Sequence, residues 1–378
     1  MSTPKQTPLY DLHQELGAKE TVFGGYLMPL SYPNGSLQEH RHTRTQAGLF
    51  DISHMGQARI RVAPDAFEKV AAPFTGDIDT LAPGEMVYSL MTNNDGGIHD
   101  DVIVARLPEG DGGGDGFHIT VNAGGKEANL SYLADALKSA GALQEQDDKA
   151  LLALQGPRAV HVMESELGCS LSDLFFMQCR WLAWNGITCL VARCGYTGED
   201  GFEISIPAAH AEAFARALLA HESVEAIGLG ARDSLRLEAG LSLYGQDITA
   251  TTTPIEAGLA FFVSKRRRER KDFPGSDTIV EQLKTRPHRH LVGLLPQDKA
   301  LLRPHSELLD KDGATIGEVT SGGFGASFGG AIALGYVAHG FETPGSEIFA
   351  KVRSREITAC VTRLPFVKHN YYRKKKKK

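Results

Sequence analysis

Through most of this chain, short apolar runs of period two alternate with stretches of helical period, and from about residue 285 only the two-residue period remains. The alternation predicts strands at 57–62, 87–92, 98–107 and 117–121, the second and third joined by Asn94-Asp95-Gly96-Gly97. Leu130, Leu133 and Leu137 predict a helix over 126–140, and a shorter helix is expected at 65–71. A second α/β unit follows. It has a strand at 150–154, a helix opened by Gln155-Gly156-Pro157 with proline in the first turn, strands at 187–193 and 202–206, and helices at 208–220 and 231–239. The segments 291–295, 307–309, 315–320, 331–337, 348–352 and 357–364 all read as strands, with Asp310-Lys311-Asp312-Gly313 as a hairpin turn. This all-β tail, a small barrel or sandwich, is set off by the polar stretch 282–289. Residues 1–50 mix short elements with turn signals such as Tyr32-Pro33-Asn34-Gly35.

At ~150 residues per domain, 378 residues predict two or three domains. With 42% hydrophobic and 23% charged residues, the chain is globular in composition rather than disordered, collagen-like or a small disulfide scaffold. Six of the 40 basic residues sit in the terminal run Arg373 to Lys378, so the body, which carries the 46 acidic ones, is strongly acidic. A general phosphate-neutralising face, and with it a nucleic-acid partner, is not expected. Five cysteines without C-x-x-C spacing predict neither disulfides nor zinc, and fit a reducing compartment. The polar, Arg-poor N-terminus predicts no targeting signal, and no apolar run approaches the ~20 residues that span a bilayer. A soluble intracellular protein is the expectation.

The glycine clusters argue weakly for phosphate binding. Gly228-Leu229-Gly230 has Asp233 at the third Rossmann position and no clear strand before it, and Gly322 to Gly330 lies between strands. The run Asp-Gly-Gly-Gly-Asp-Gly at 111–116 lacks the ligand series of a calcium loop and reads as a solvated hairpin loop. His40 and His42 would share a strand face, but with His54 they make no metal spacing, so structural roles and no metal site are expected. Asp100-Asp101 holds more interest. On a strand the two point to opposite faces and cannot form a dyad, Asp101 sharing its face with Ile103 and Asp100 with Ile98, Val102 and Val104. One carboxylate thus enters an apolar wall and needs a partner or a job, unless the pair serves a turn or cap. Glu203 faces opposite Phe202 and Ile204, and Arg232 and Arg236 stack on a helix. These groups form either internal salt bridges or a polar pocket suited to bidentate recognition.

Six motifs then fall in order: Asp51-Ile52-Ser53-His54-Met55-Gly56, Gly96-Gly97-Ile98-His99-Asp100-Asp101, Ala153-Leu154-Gln155-Gly156-Pro157, Cys194 to Gly201, Gly230 to Gly240, and Thr253-Pro254-Ile255-Glu256-Ala257-Gly258-Leu259. With Pro365-Phe366-Val367 and Asn370-Tyr371-Tyr372 they give a resemblance, from about Thr7 to Tyr372, to the T-protein (aminomethyltransferase) family of the glycine cleavage system. The resemblance implies an α+β fold, a three-domain cloverleaf around a central folate cavity, with two α/β domains and a C-terminal β-barrel or jelly-roll. It implies a discontinuous folate-binding domain of residues 1–55 and 147–284, an inserted domain of 56–146 carrying the key aspartate, and a barrel of 285–378. The implied reaction moves the methylene of an aminomethyl-lipoyl H protein to tetrahydrofolate, the co-substrate, releasing ammonia, 5,10-methylenetetrahydrofolate and dihydrolipoyl H protein. The lipoylated H protein is the implied direct partner and the P and L proteins are functional ones. The implied place is the bacterial cytoplasm, or the mitochondrial matrix of a eukaryote. Asp101 matches the family's key aspartate and Glu203 its pterin-binding glutamate. Arg232 and Tyr371 match further folate contacts, and Tyr88, Asn122 and Tyr196 are implied cavity neighbours. His99 stands where the family usually has an aliphatic residue.

Rival readings within this fold are folate-linked oxidase or demethylase modules and a folate-binding relative in iron–sulfur assembly. The first is often fused to a flavin domain, whose fingerprint is missing. The second carries a K-G-C-Y-x-G-Q-E motif, from which Cys194-Gly195-Tyr196-Thr197-Gly198-Glu199-Asp200 departs. The basic run Lys265 to Lys271 reads as a solvated loop or a docking patch for an acidic partner or a folate glutamate tail.

Overall fold

The computed structural model describes residues 3–63, 65–110, 116–297 and 300–374. The expected glycine-rich loop (all but its last residue) and the last four lysines lie outside them. Five strands, Gly56–Val62, Met86–Thr92, Ile98–Arg106, Gly116–Val121 and Gly141–Glu145, form an antiparallel sheet in the order 86–92, 98–106, 116–121, 56–62, 141–145. Alternation sorts Ile98–Arg106 as expected. Ile98, Asp100, Val102 and Val104 are buried, whereas His99, Asp101 and Ile103 are only partly so. The buried face packs with Ala58, Ile60, Phe117 and Ile119 against Leu130, Leu133 and Leu137 of the helix Lys126–Leu137. The Gly-Gly turn before the aspartates is a packing requirement, since a Cβ on Gly97 would run into the Ala250 carbonyl. The segment expected as a helix at 65–71 is a 3₁₀ turn, Phe67–Ala71. Five residues are too few for a stable α-helix, and the tighter turn suffices to bury Val70 and Ala71.

The second sheet has six strands in the order Gln178–Trp184, Ile187–Arg193, Gly201–Pro207, Lys149–Gln155, Ala47–Asp51, Val224–Ala226, antiparallel except for the last, parallel pair. Ala47–Asp51 and Lys149–Gln155 pair directly although the whole five-stranded sheet lies between them in the chain. The helices Ala159–Leu167 and Ala208–Leu219 cover one face through Val162, Met163, Phe214 and Leu218, packed on Leu152, Leu154, Phe202, Ile204 and Ile206. Pro157 lies before its helix, not in the first turn, because Arg158 caps it. Glu203 and Ser205 point to the other face, partly buried.

Three expectations about the chain before the barrel are corrected. His40 and His42 lie on a helix, Gly35–Thr45, where two residues span ~200° and cannot share a face. His40 is buried between Ser234 and Glu238, while His42 reaches the Ser223 carbonyl and Glu225. The buried side of this helix is Glu39, His40 and Thr43, so no apolar period marks it. A strand, Val224–Ala226, does precede Gly228-Leu229-Gly230. The Gly228 N–H donates to Glu39 (2.8 Å), and a Cβ at either glycine would strike Leu30 or Ser36, so these glycines serve close packing of the helix Leu229–Glu238. The basic run is a helix, Lys265–Arg270, not a solvated loop. Arg266 pairs with Asp77 and Asp79, and buried Arg267 donates to the carbonyls of Ala71 (2.7 Å) and Phe74 (3.1 Å). Two of its arginines therefore hold the fold together.

The C-terminal strands Arg289–Pro296, Gly330–Ala338, Thr315–Gly325, Glu307–Leu309, Glu347–Val352 and Arg355–Thr362 close into a barrel in that order. Its interior holds Val292, Leu294, Leu308, Val319, Ala333, Ile348 and Val361. Closure pairs every edge, which is why so short a strand as Glu307–Leu309 is held. Beyond the barrel, residues 365–374 run back across the six-stranded region. Asn370 N–H donates to the Gly198 carbonyl (2.8 Å) and its amide to Glu199 (3.0 Å), while His369 contacts the Ala239 carbonyl (2.8 Å).

Candidate active site

The faces carrying Asp101 and Glu203 turn toward each other. Met86, Ala105 and Leu107 of one sheet region pack on Leu190, Ala192 and Cys194 of the other. A cavity of about 20 Å³ remains between them, lined by Ile103, His118, Thr120, Leu151, Glu203 and Ser205 among others, with room for a single water.

Asp101 accepts hydrogen bonds from the Asn122 amide (2.7 Å) and the Tyr88 hydroxyl. Asn122 follows the strand Gly116–Val121, and the Ile103–Thr120 register places it opposite Asp101. Burial pushes the Asp101 carboxyl above the usual carboxylate range, opposed by those two donors. Burial and the charge of Asp101 raise the Tyr88 phenol far enough to keep it a donor. Asp100 is fully buried and accepts from the amides of Asn129 (2.6 Å) and Asn122 (2.8 Å). The two side chains diverge as expected, and a residue of the neighbouring strand links them. Asn122 bridges both carboxylates, and the charge of Asp101 adds to burial in raising the proton affinity of Asp100. Adjacent residues on a strand diverge at Cβ, yet a planar amide from the neighbouring strand spans the gap.

The two arginines of the helix Leu229–Glu238 have different fates. Arg236 is buried against Asp233 (2.8 Å), Asp247 (2.6 Å) and the Ser321 hydroxyl (2.9 Å), an internal brace toward the barrel. Arg232 lies over the Tyr196 ring (5.0 Å), and its buried Nη1 has no hydrogen-bond partner. Such a donor is costly unless a ligand satisfies it. Glu203 lies close enough to act on Arg232, and burial pushes its carboxyl up, opposed first by Arg232 and then by the Cys194 thiol. Tyr196 donates to the Ser242 carbonyl (2.5 Å) and senses the charge of Asp101. Tyr371 stacks on Phe176 at 4.0 Å and 11°, and burial pushes its phenol up to about 12. The residues singled out from the sequence are connected in part: Asp101 with Asn122, Tyr88 and Tyr196, and Glu203 with Arg232, which lies over Tyr196. Tyr371, on the returning C-terminal segment, senses Cys194 beside Glu203.

Residues that the sequence reading missed complete this surround. Asn129 sits on the apolar stripe of Leu130, Leu133 and Leu137, a polar intrusion that was a readable signal. Phe176 and Tyr244 carried none, and His54 had been expected only in a structural role. Tyr244 is near enough for both aspartates to raise its phenol after burial does. The buried His54 ring is pushed down to about 4 by burial and then by Arg232, with Nδ1 unpartnered. The His99 ring packs at a tilt of 46° against Tyr132, with centroids 4.8 Å apart, which accounts for an aromatic ring at that position.

All five cysteines are free, and Cys194 is buried with its thiol raised far above its usual range by burial and by Glu203. It is therefore a neutral donor to Glu203, not a nucleophile. Cys194→Ser preserves that donor, and steady-state turnover should stay near wild type. Abolished turnover in a folded, ligand-binding variant would contradict this.

The comparisons with known proteins agree with this architecture. The GCVT N-terminal domain family matches residues 9–267, and the glycine cleavage T-protein C-terminal barrel domain family matches 289–368. The chain is 42% identical over 377 residues to mitochondrial aminomethyltransferase of Homo sapiens, covering 97% of this chain and 91% of that one. It is 38% identical over 377 residues to the mitochondrial aminomethyltransferase of Pisum sativum, with 98% and 91% covered. The crystal structure of glycine cleavage system aminomethyltransferase T from Bartonella henselae matches with a TM-score of 0.92 at 43% identity, over 98% of this chain and 100% of that one. Two α/β lobes and a closed barrel, with this similarity, define a transferase of the aminomethyl class. The chain belongs to the glycine cleavage T-protein family.

Proposed function

We propose that this aminomethyltransferase takes the methylene group from the aminomethyl-lipoyl arm of H protein and delivers it to tetrahydrofolate. The products are ammonia, 5,10-methylenetetrahydrofolate and dihydrolipoyl H protein. The observation that carries the proposal is the buried, unpartnered Arg232 Nη1 beside Glu203, with the Tyr196 ring under Arg232 and within electrostatic reach of the Asp101–Tyr88–Asn122 cluster. A pterin presents an amino group and an adjacent ring N–H, a donor pair that suits the Glu203 carboxylate. The free Arg232 donor suits an acceptor on the same ligand. Tetrahydrofolate supplies the nitrogen nucleophile and takes up the one-carbon unit. Asp101, held by Asn122 and Tyr88, orients that nitrogen, takes its proton or stabilises the positive charge that grows at the one-carbon centre. Tyr88, Tyr196 and Tyr371 wall the site and keep out the water that would divert the one-carbon unit.

The family's assembly makes lipoylated H protein the direct partner, with P and L proteins acting in the same system. The eukaryotic relatives are mitochondrial, and no helix among the described residues is long and apolar enough to cross a membrane. We place the protein in the mitochondrial matrix of a eukaryote or the cytoplasm of a bacterium. The division into a discontinuous domain (1–55 and 147–284), an inserted domain (56–146) and a barrel (285–378) draws support from the pairing of Ala47–Asp51 with Lys149–Gln155.

Binding of tetrahydrofolate by calorimetry tests the site. Glu203→Gln keeps the shape but turns one acceptor oxygen into a donor, so affinity should fall by about 1.5–3 kcal/mol, the range for hydrogen bonds to charged groups. Unchanged affinity would remove Glu203 from the pterin site.

A further inference from the structure

We propose that His290, His339 and Glu342 form a binding site for a divalent transition-metal ion, zinc above all, at one end of the C-terminal barrel. His290 lies on the strand Arg289–Pro296, and His339 directly follows its hydrogen-bonded neighbour Gly330–Ala338, in a register that pairs Arg289 with Ala338. Glu342 follows in the next turn. Three donor atoms converge. His290 Nε2 is 3.3 Å from His339 Nδ1, His339 Nδ1 is 3.3 Å from Glu342 Oε1, and His290 Nε2 is 3.9 Å from the same oxygen. A tetrahedral ion with bonds of ~2.0–2.1 Å to nitrogen and oxygen spaces its ligands ~3.3–3.4 Å apart. Two edges match that spacing, and the third needs only a small side-chain rotation.

The donor set also discriminates between metals. Two imidazoles and one carboxylate suit zinc, copper or nickel and disfavour calcium or magnesium, which take oxygen ligands. The surroundings hold the ligands in place. The Gly340 N–H donates to Glu342 Oε2 (2.5 Å), which leaves Oε1 for the histidines, and the His339 N–H is tied to the His288 carbonyl (2.7 Å). Such supporting bonds fix ligand orientation before the ion arrives. His339 is exposed and the other two are half-buried, so a fourth position is open to water. The charge of Arg286 bears on His290 and lowers the affinity for a cation. The ion would clamp two barrel strands beside the point where Arg289 pairs with Glu256 (3.3 Å) of the Thr253 to Leu259 segment. Its role is therefore structural. The expectation of no metal rested on the cysteine spacing and on His40, His42 and His54; His290 and His339 are 49 residues apart and meet only through the strand register.

The test is zinc titration of the chelator-treated, full-length protein by calorimetry, with melting temperature measured in parallel. Wild type should show one saturable site and a higher melting temperature with zinc. Loss of a supporting residue alone costs ~10–100-fold in metal affinity. The double variant His290→Ala/His339→Ala should therefore lose more than ~100-fold, as should Glu342→Gln combined with His339→Ala. His161→Ala and His305→Ala, which alter histidines elsewhere, should bind zinc as wild type does. Equal affinity in wild type and the double variants, or no saturable site in wild type, would overturn the proposal. Melting of each variant without zinc establishes that it is folded, and Glu342→Gln alone, on an already partly exposed turn, serves if a double variant is not.

Discussion

Asp101→Asn should lower turnover by ~10²-fold or more while leaving tetrahydrofolate affinity much less changed, because the lost charge acts where positive charge or a proton appears in the transition state. The substitution keeps volume and can keep the contact with Tyr88, but it places an amide against the Asn122 amide (now 2.7 Å from Asp101). Asp100→Asn should cost far less turnover, because that side chain faces the core and is held by Asn129 and Asn122. Its cost falls on stability, where a buried amide meets donors that wanted an acceptor. Acid should imitate the Asp101 variant. Since burial holds this carboxyl above its usual 3.8, the charge is lost earlier in an acid titration than at an exposed aspartate, and turnover should fall on that limb. Steady-state kinetics against pH, with folate binding measured separately, distinguishes the two aspartates. Near-normal turnover in Asp101→Asn with loss in Asp100→Asn would reverse the assignment.

Glu238→Ala should destabilise the fold by about 3–5 kcal/mol, the cost of leaving buried charges without their partner. Glu238 accepts from His40 (3.1 Å), Arg44 (3.0 Å) and the N–H groups of Ser327 (2.7 Å) and Phe328 (3.0 Å), so one carboxylate joins the helix Gly35–Thr45 to the barrel hairpin. Arg44 also binds Glu199 (2.9 Å), which holds Asn370 and the segment bearing Tyr371. The partners outweigh desolvation and lower the Glu238 carboxyl from 4.5 to about 2. A depressed carboxylate contributes its stability fully above the unfolded value near 4.5, and that contribution drains away as pH falls toward 2. Denaturant unfolding of wild type and variant at pH 7 and pH 3 should therefore show a gap that narrows in acid. A gap that stayed constant or widened would count against this network.

Beyond what the family resemblance implied, what the sequence revealed about the site came from its period-two strands. Alternation alone put Asp101 on the face away from Asp100 and Glu203 opposite Phe202, and both orientations hold. Alternation cannot say which residue of a neighbouring strand arrives, so the Asn122 bridge needed the register. Spacing on a helix could not separate Arg232 from Arg236 either. Asp247 and Ser321 claim Arg236 from segments far along the chain, and nothing claims the end of Arg232. The helix Gly35–Thr45 escaped because its buried side is polar, and hydrophobic period is blind to such a face. The barrel strands were legible almost throughout as short apolar runs bounded by turn signals, but closure depends on long-range pairing such as Gly293 with Thr362.

The account rests most heavily on tetrahydrofolate being the acceptor of the one-carbon unit. The direct measurement is ammonia release from aminomethyl-loaded H protein, followed together with 5,10-methylenetetrahydrofolate formation, with and without tetrahydrofolate. The expected result is release that tetrahydrofolate accelerates strongly, matched mole for mole by the folate product and slowed in Asp101→Asn. Release at the same rate without tetrahydrofolate, or with no folate product formed, would contradict it.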